Sequence, residues 1–227
     1  MIKLLEKPEL EKLLNTFTAK VYSAMALMLT ATGLLSWSSY KLGLTEWLIR
    51  NPLAFIVLLV VEFLAVANFT YFREKLSILT NVGLASFYTV LNAITLSVIF
   101  PVYTTSSIAV IFASSVAIFI AASIYGFYGK TLGHYGKWIF TALTGLLVAM
   151  IGNLLIGSTI LNYIISSVAV VVFTILAAYD AQMIKTTGLI EPTNSKVIEM
   201  ALNVYIDFIN IFLNLLQLFG IKTDSRS

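Results

Sequence analysis

The chain has 227 residues, 59% of them hydrophobic and 11% charged, with a formal net charge of +3 and no cysteine. Soluble domains carry about 25% charged residues and about 45–50% apolar ones, so water is excluded as the main solvent. Disulfides and thiolate metal sites are excluded with the cysteines, and so small and scattered an excess of base excludes a nucleic-acid-binding role while fitting basic residues that flank membrane helices.

One crossing of a bilayer takes roughly 20 mostly apolar residues, so the chain has room for six or seven helices and none for a separate soluble domain. The segment 1–20 contains Lys3, Glu6, Lys7, Glu9, Glu11, Lys12 and Lys20. It mixes both signs and lacks a continuous apolar core, unlike a cleaved signal peptide. Its leucines at 4, 5, 10, 13 and 14 leave two readings, a short amphipathic helix on the membrane surface or a frayed cytoplasmic tail, of which the tail is the simpler. Apolar runs then predict helices over 21–40, 52–72, 76–100, 107–128, 138–157, 159–184 and 197–219, followed by a short tail over 220–227. The expected architecture is all-α, a polytopic seven-helix transmembrane domain over 21–219. Its short connections make consecutive helices antiparallel neighbours.

The basic residues give this bundle a direction. Lys3, Lys7, Lys12 and Lys20 precede the first run, and the second, fourth and sixth connections hold Arg73 and Lys75, Lys130 and Lys137, and Lys185 and Lys196. Against these ten, the opposite side has four: Lys41, Arg50, Lys222 and Arg226. The excess predicts a cytoplasmic N-terminus. Lys222 and Arg226 belong to the far side only if the seventh run crosses completely; a re-entrant seventh helix returns them to the cytoplasm. Glycines 126, 129, 133 and 136 cluster where the fourth run ends. They can signal close helix contact or a flexible connection, and the interruption by Lys130 and His134 favours a loop. His134 is the only histidine, which leaves a zinc site without partners.

Ionisable groups inside a bilayer are costly and mark ion paths, proton sites or internal pairs. Glu62, Arg73, Asp180 and Asp207 are the candidates. Glu62 lies midway along the second run, too deep to snorkel, and Arg73 follows eleven residues later, on nearly the same face at ~100° per residue. In the seventh run Glu199, Asn203, Asp207, Asn210, Asn214 and Gln217 follow at steps of four, four, three, four and three, within about 80° of arc. Such a stripe faces protein or a water-filled cavity, because unpaired polar groups in hydrocarbon cost several kcal/mol. The amides at 203, 210, 214 and 217 also read as simple helix glue, a role that a lone carboxylate fills poorly. Asp180, one turn from the cytoplasmic end of the sixth run, lies at a depth close to that of Asp207. Two carboxylates meeting in a low-dielectric site hold one proton more tightly and titrate as a unit. Arg73, at the depth of Asp180, is a competing partner and with it forms a latch; an ordinary interfacial carboxylate is the plainer reading of Asp180.

The run Ala178-Tyr179-Asp180-Ala181-Gln182-Met183-Ile184, together with Tyr205-Ile206-Asp207-Phe208-Ile209-Asn210-Ile211-Phe212-Leu213-Asn214-Leu215-Leu216 and Gly220, resembles the Bax inhibitor-1 (transmembrane Bax inhibitor motif) family. Helix count and spacing fit over nearly the whole chain, and the specific matches concentrate after Ala177. The resemblance implies a seven-helix bundle with the last helix central, a paired-aspartate site on the cytoplasmic side and a pH-sensitive calcium leak. Asp180 and Asp207 then form the pair that binds calcium and senses protons, and Arg73 is the latch. Carboxylate oxygens suit a hard cation. Two departures stand out. Gln217 occupies the place of an Arg in the usual Leu-Leu-Arg-Leu pattern, which removes an ion pair to Glu62 and the gating hinge built on it. The loop after Lys130 also lacks the Asp common there and is assigned no function.

The leading function is therefore a pH-sensitive calcium (cation) leak channel or exchanger. No enzymatic activity and no cofactor beyond the transported ion are expected. The alternative is a membrane interaction protein that regulates a membrane protease or a cell-death factor without transporting anything. An intramembrane aspartyl hydrolase ranks third: Tyr179-Asp180 matches half of the usual pairing, but Tyr205-Ile206 rather than glycine precedes Asp207. No Lys-Asp-Glu-Leu signal closes the chain, and a prokaryotic plasma membrane is expected, with the endoplasmic reticulum or Golgi membrane as the alternative.

Overall fold

A computed structural model of the protein describes residues 7–72 and 77–223. These residues are almost wholly helical, and six helices are long and apolar enough to cross a membrane; a bent pair brings the number to seven. By contact density the chain divides into two compact units. One takes in the chain up to Val102 together with Thr187–Leu202, and the other takes in Tyr103–Thr186 together with the chain from Asn203.

In the first unit, α1 (Lys7–Lys41) runs without a break through the segment expected to be a surface helix or a frayed tail. Pro8 falls in its first turn, where a missing N–H costs nothing. Leu14, Phe17, Val21, Met25, Thr32 and Ser36 form one buried stripe at three-, four- and seven-residue spacings, the signature of a helix with a single inward face. The described part of 1–20 is thus helical and continuous with the first apolar run, and its buried stripe begins at Leu14. Gly43, at φ 79°, reverses the chain into α2 (Leu44–Arg50), a short helix that hydropathy alone did not predict. α2 meets α3 (Pro52–Phe72) at 108°. Proline at the first position of α3 disfavours a helical residue before it, and the Asn51 amide donates to the Trp47 carbonyl at 2.7 Å, capping what the bend exposes.

Ser77 caps α4 (Ile78–Leu96) by accepting from the Thr80 amide at 3.2 Å. The run expected to be one helix to residue 100 breaks after Leu96 and resumes as α5 (Ile99–Val102). Pro101 supplies the reason, since its ring collides with the carbonyl four residues back. α4 packs against α1 and α3. Phe100 closes the far end of α1 by stacking on Tyr40 and meeting Trp37 edge-on, with ring centroids 5.5 and 5.2 Å apart.

The second unit begins with α6 (Thr105–Tyr128), capped by Thr104. After Gly129 and a single turn of 3-10 helix at Gly133–Tyr135 comes α7 (Gly136–Ile156), which Gly157 ends at φ 70°. α8 (Thr159–Ile190) and α9 (Asn194–Phe219) follow, and the boundary between the two units falls within both of them. Beyond α9, the Thr104 amide donates to the Ile221 carbonyl at 3.0 Å, the Ile221 amide donates to Ser107 Oγ at 2.9 Å, and Tyr103 pairs with Lys222 in an isolated antiparallel bridge. The end of α9 is thereby fastened to the start of α6, while Lys185 of α8 donates to the Phe127 carbonyl at the end of α6. α9 is long and apolar enough to cross a membrane.

α9 is also the most enclosed helix, with 61% of its apolar window buried against 17–44% for the other five single spans.

The glycine cluster is not simply a loop. Gly126 is a buried residue in the last turn of α6, and a Cβ there would lie 1.9 Å from the Ala178 carbonyl oxygen of α8. The two backbones touch, the close approach that small residues permit between membrane helices. Gly126→Ala is expected to destabilise the protein by about 1–3 kcal/mol, visible as a lowered Tm in detergent. Gly145→Ala, which meets nothing within 4 Å, should cause no loss. Equal melting of the two variants would refute the contact.

Candidate functional site: the buried carboxylates

The polar stripe of α9 is buried in proportion to the cost of exposing each group. Glu199, Asp207 and Asn214 are buried and Asn203, Asn210 and Gln217 half-buried. Glu199 is paired to Lys196 at 3.0 Å one turn earlier. Asn210 Nδ2 donates to the Ile206 carbonyl and Asn214 Nδ2 to the Asn210 carbonyl, both at 2.8 Å, the local bonding to the preceding turn that short polar side chains make.

Asp207 is treated differently. It is 5% exposed, and its Oδ2 has no hydrogen-bond partner among the described residues. Asp180 of α8, half-buried, is near enough to act on it electrostatically. The structure therefore brings these two predicted residues together, within one unit. Aromatic rings join α9 to α6. Phe208 meets Phe112 and Phe119 of α6 edge-on at 5.4 and 5.7 Å, and Phe212 meets Phe112 at 5.9 Å, pairs that fix ring geometry.

Glu62 sits in the first unit, 8% exposed. Its carboxylate accepts from Asn92 Nδ2 and from Thr95 Oγ1, the latter at 2.9 Å, both on α4. Sequence reasoning missed these partners. The signal was present: Asn81, Ala85, Tyr88, Asn92 and Leu96 recur at three- and four-residue steps along α4 and are all buried, so the polar members of an apolar helix share its inner face. Arg73, the expected latch, lies outside the described residues.

No cluster of three or more His, Cys, Asp or Glu occurs among the described residues. Calcium takes 6–8 oxygens, and two carboxylates supply at most four. Backbone carbonyls or water would have to supply the rest of such a shell.

The tethering of Glu62 makes a test. Asn92→Leu should cost about 1–3 kcal/mol by withdrawing a donor from a buried carboxylate. Glu62→Leu combined with Asn92→Leu should recover most of that, since replacing both partners by apolar groups is close to neutral. Thermal unfolding in detergent reads both, and a double variant no more stable than Asn92→Leu would contradict the pairing.

Comparison with known proteins bears on the whole chain. A family model described as "Inhibitor of apoptosis-promoting Bax1" matches residues 14–224. The chain is 34% identical over 215 residues to the inner membrane protein YbhL of Escherichia coli (strain K12), covering 91% of this chain and 92% of that one. It is 35% identical over 221 residues to an uncharacterized membrane protein of Streptococcus pyogenes serotype M1, covering 91% and 93%. A similarity of 31% over 227 residues extends to an uncharacterized protein of Borreliella burgdorferi, covering 97% and 98%.

Proposed function

We propose that this chain, which belongs to the Bax inhibitor-1 family of membrane proteins, is a pH-sensitive pathway for calcium or a similar cation, with Asp180 and Asp207 as its ion- and proton-binding carboxylates. The observation that carries the reading is the buried Asp207 carboxylate, one oxygen of which has no protein donor among the described residues while Asp180 acts on it from α8. Two carboxylates in a dry site repel each other. A proton or a cation relieves that repulsion, and the two compete for the same oxygens. Hard oxygen ligands favour calcium over softer metals, and an incomplete shell lets the ion leave again.

The other groups take supporting roles, Glu62 and Arg73 keeping the gating and latch roles that the family resemblance implies. Asn203, Asn210, Asn214 and Gln217 line the path with amide oxygens. The chemistry is binding and release, so no enzymatic activity is assigned. The excess of basic residues before α1 and in the second, fourth and sixth connections supports a cytoplasmic N-terminus, and the bacterial relatives support a prokaryotic plasma membrane.

Purified protein in calcium-free liposomes should admit calcium at a rate that changes with pH around neutrality. Asp207→Asn should lower the rate by about tenfold, the effect of roughly 1.4 kcal/mol, and flatten the pH profile. Asp180→Asn should flatten it as well. Unchanged flux in Asp207→Asn would sink the assignment. A stable co-purifying protease or cell-death regulator, with no flux in liposomes, would favour the role of an interaction protein.

A further inference from the structure

We propose that Gln182 and the connection between α6 and α7 are the positioning element of Asp180, holding the α8 turn that carries it in place from outside the ion site. The proposal rests on the reading of the Asp180–Asp207 pair given above and names the residues that set its geometry.

Four contacts converge on the α8 segment from Ala178 to Lys185, and all four lead to the stretch from Gly126 to Gly136. Gln182 uses both ends of its amide: its Oε1 accepts from the Leu132 backbone N–H at 2.7 Å and its Nε2 donates to the Lys130 carbonyl at 2.7 Å. Lys185 Nζ donates to the Phe127 carbonyl at 2.9 Å and lies 5.3 Å from the centre of the Phe127 ring. The α6 backbone at Gly126 touches Ala178, and the α7 backbone at Gly136 leaves room for the Tyr179 hydroxyl, which a Cβ there would approach to 3.1 Å. Asp180 is bracketed by these contacts and makes none of them.

The helix itself explains the division of labour. Residues two apart on an α-helix point about 200° apart, so the turn that presents Gln182 to the connection presents Asp180 to the opposite side. The connection has no regular helix of its own to fix it between Gly129 and Leu132, and its backbone groups at Lys130 and Leu132 are satisfied by Gln182 instead. Removing that amide frees the connection and the α8 turn together. The amide pair is specific in a way that bulk packing is not: an apolar side chain of similar size fills the space but offers neither the donor nor the acceptor.

The test separates positioning from simple structural support. Carboxyl bands of the purified, detergent-solubilised protein are followed by infrared difference titration with 13C-labelled aspartate, and calcium flux is measured across pH in liposomes. Wild type, Gln182→Leu, Gln182→Glu, Asp180→Asn and the double variant Gln182→Leu/Asp180→Asn are compared. Gln182→Leu should displace the aspartate titration midpoint and shift the pH profile of flux in the same direction. Gln182→Glu keeps the acceptor for the Leu132 amide and should restore part of both. The double variant should behave like Asp180→Asn alone, because a residue that acts through Asp180 has nothing left to act on. An unmoved midpoint in a folded Gln182→Leu protein would overturn the proposal, as would losses in the double variant that multiply independently. Absence of flux in the wild type while Gln182→Leu moves the aspartate midpoint would overturn the transport reading and leave the positioning role standing.

Discussion

A carboxylate removed from water has to be held by donors, by a counter-charge, by a proton or by a metal ion, and the helices of this protein are arranged around that requirement in both of its units. Glu62 meets it with neutral donors, Asn92 and Thr95, that α4 carries on its inner face. Asp207 has one carboxylate oxygen, Oδ2, without a hydrogen-bond partner among the described residues, and Asp180 acts on it electrostatically. That difference is why the functional reading is built on Asp207 rather than on Glu62.

The same pressure shapes the backbone. A chain in hydrocarbon satisfies its amides within helices, and at several helix ends here a side chain takes over. Asn51 covers the bend between α2 and α3, Ser77 and Thr104 open α4 and α6, Asn153 accepts from the amide of Ser158 past the end of α7, and Gln182 serves the connection after α6. Beyond α9, Ser107 Oγ accepts from the Ile221 amide and the Thr104 backbone N–H meets the Ile221 carbonyl. Gly126 adds a steric condition, since only a residue without a Cβ lets α6 and α8 approach to backbone contact.

The proposed function rests on the contrast between the tethered polar groups and the Asp207 oxygen that has no partner among the described residues. The stripe along α9 grades from an ion pair at Glu199 and Lys196, through Asp207, to amides at 210 and 214 that bond their own helix. Among them, Asp207 is the one whose buried side-chain oxygen has no partner among the described residues, and Gln217 leaves the far end of the stripe without charge.

By itself the sequence determined the solvent, the helix-rich class, the polar face of α9 and the two aspartates worth pairing, because hydropathy and 100° periodicity are properties of consecutive residues and survive without a fold. It also carried the polar face of α4, legible in the spacing of Asn81, Tyr88 and Asn92 but meaningless until Glu62 stood opposite. Tertiary structure decided the rest. The continuity of α1 through its charged first turns depends on where Leu14 and Phe17 are buried. The fastening of the chain beyond α9 to the start of α6 depends on partners far away in the chain, Ser107 being 114 residues before Ile221. So does the role of the α6–α7 connection, whose glycines and lysines look like an ordinary loop until Gln182, 50 residues beyond Leu132, is seen to hold it. Such contacts join residues that no local pattern links, and only the folded chain brings them together.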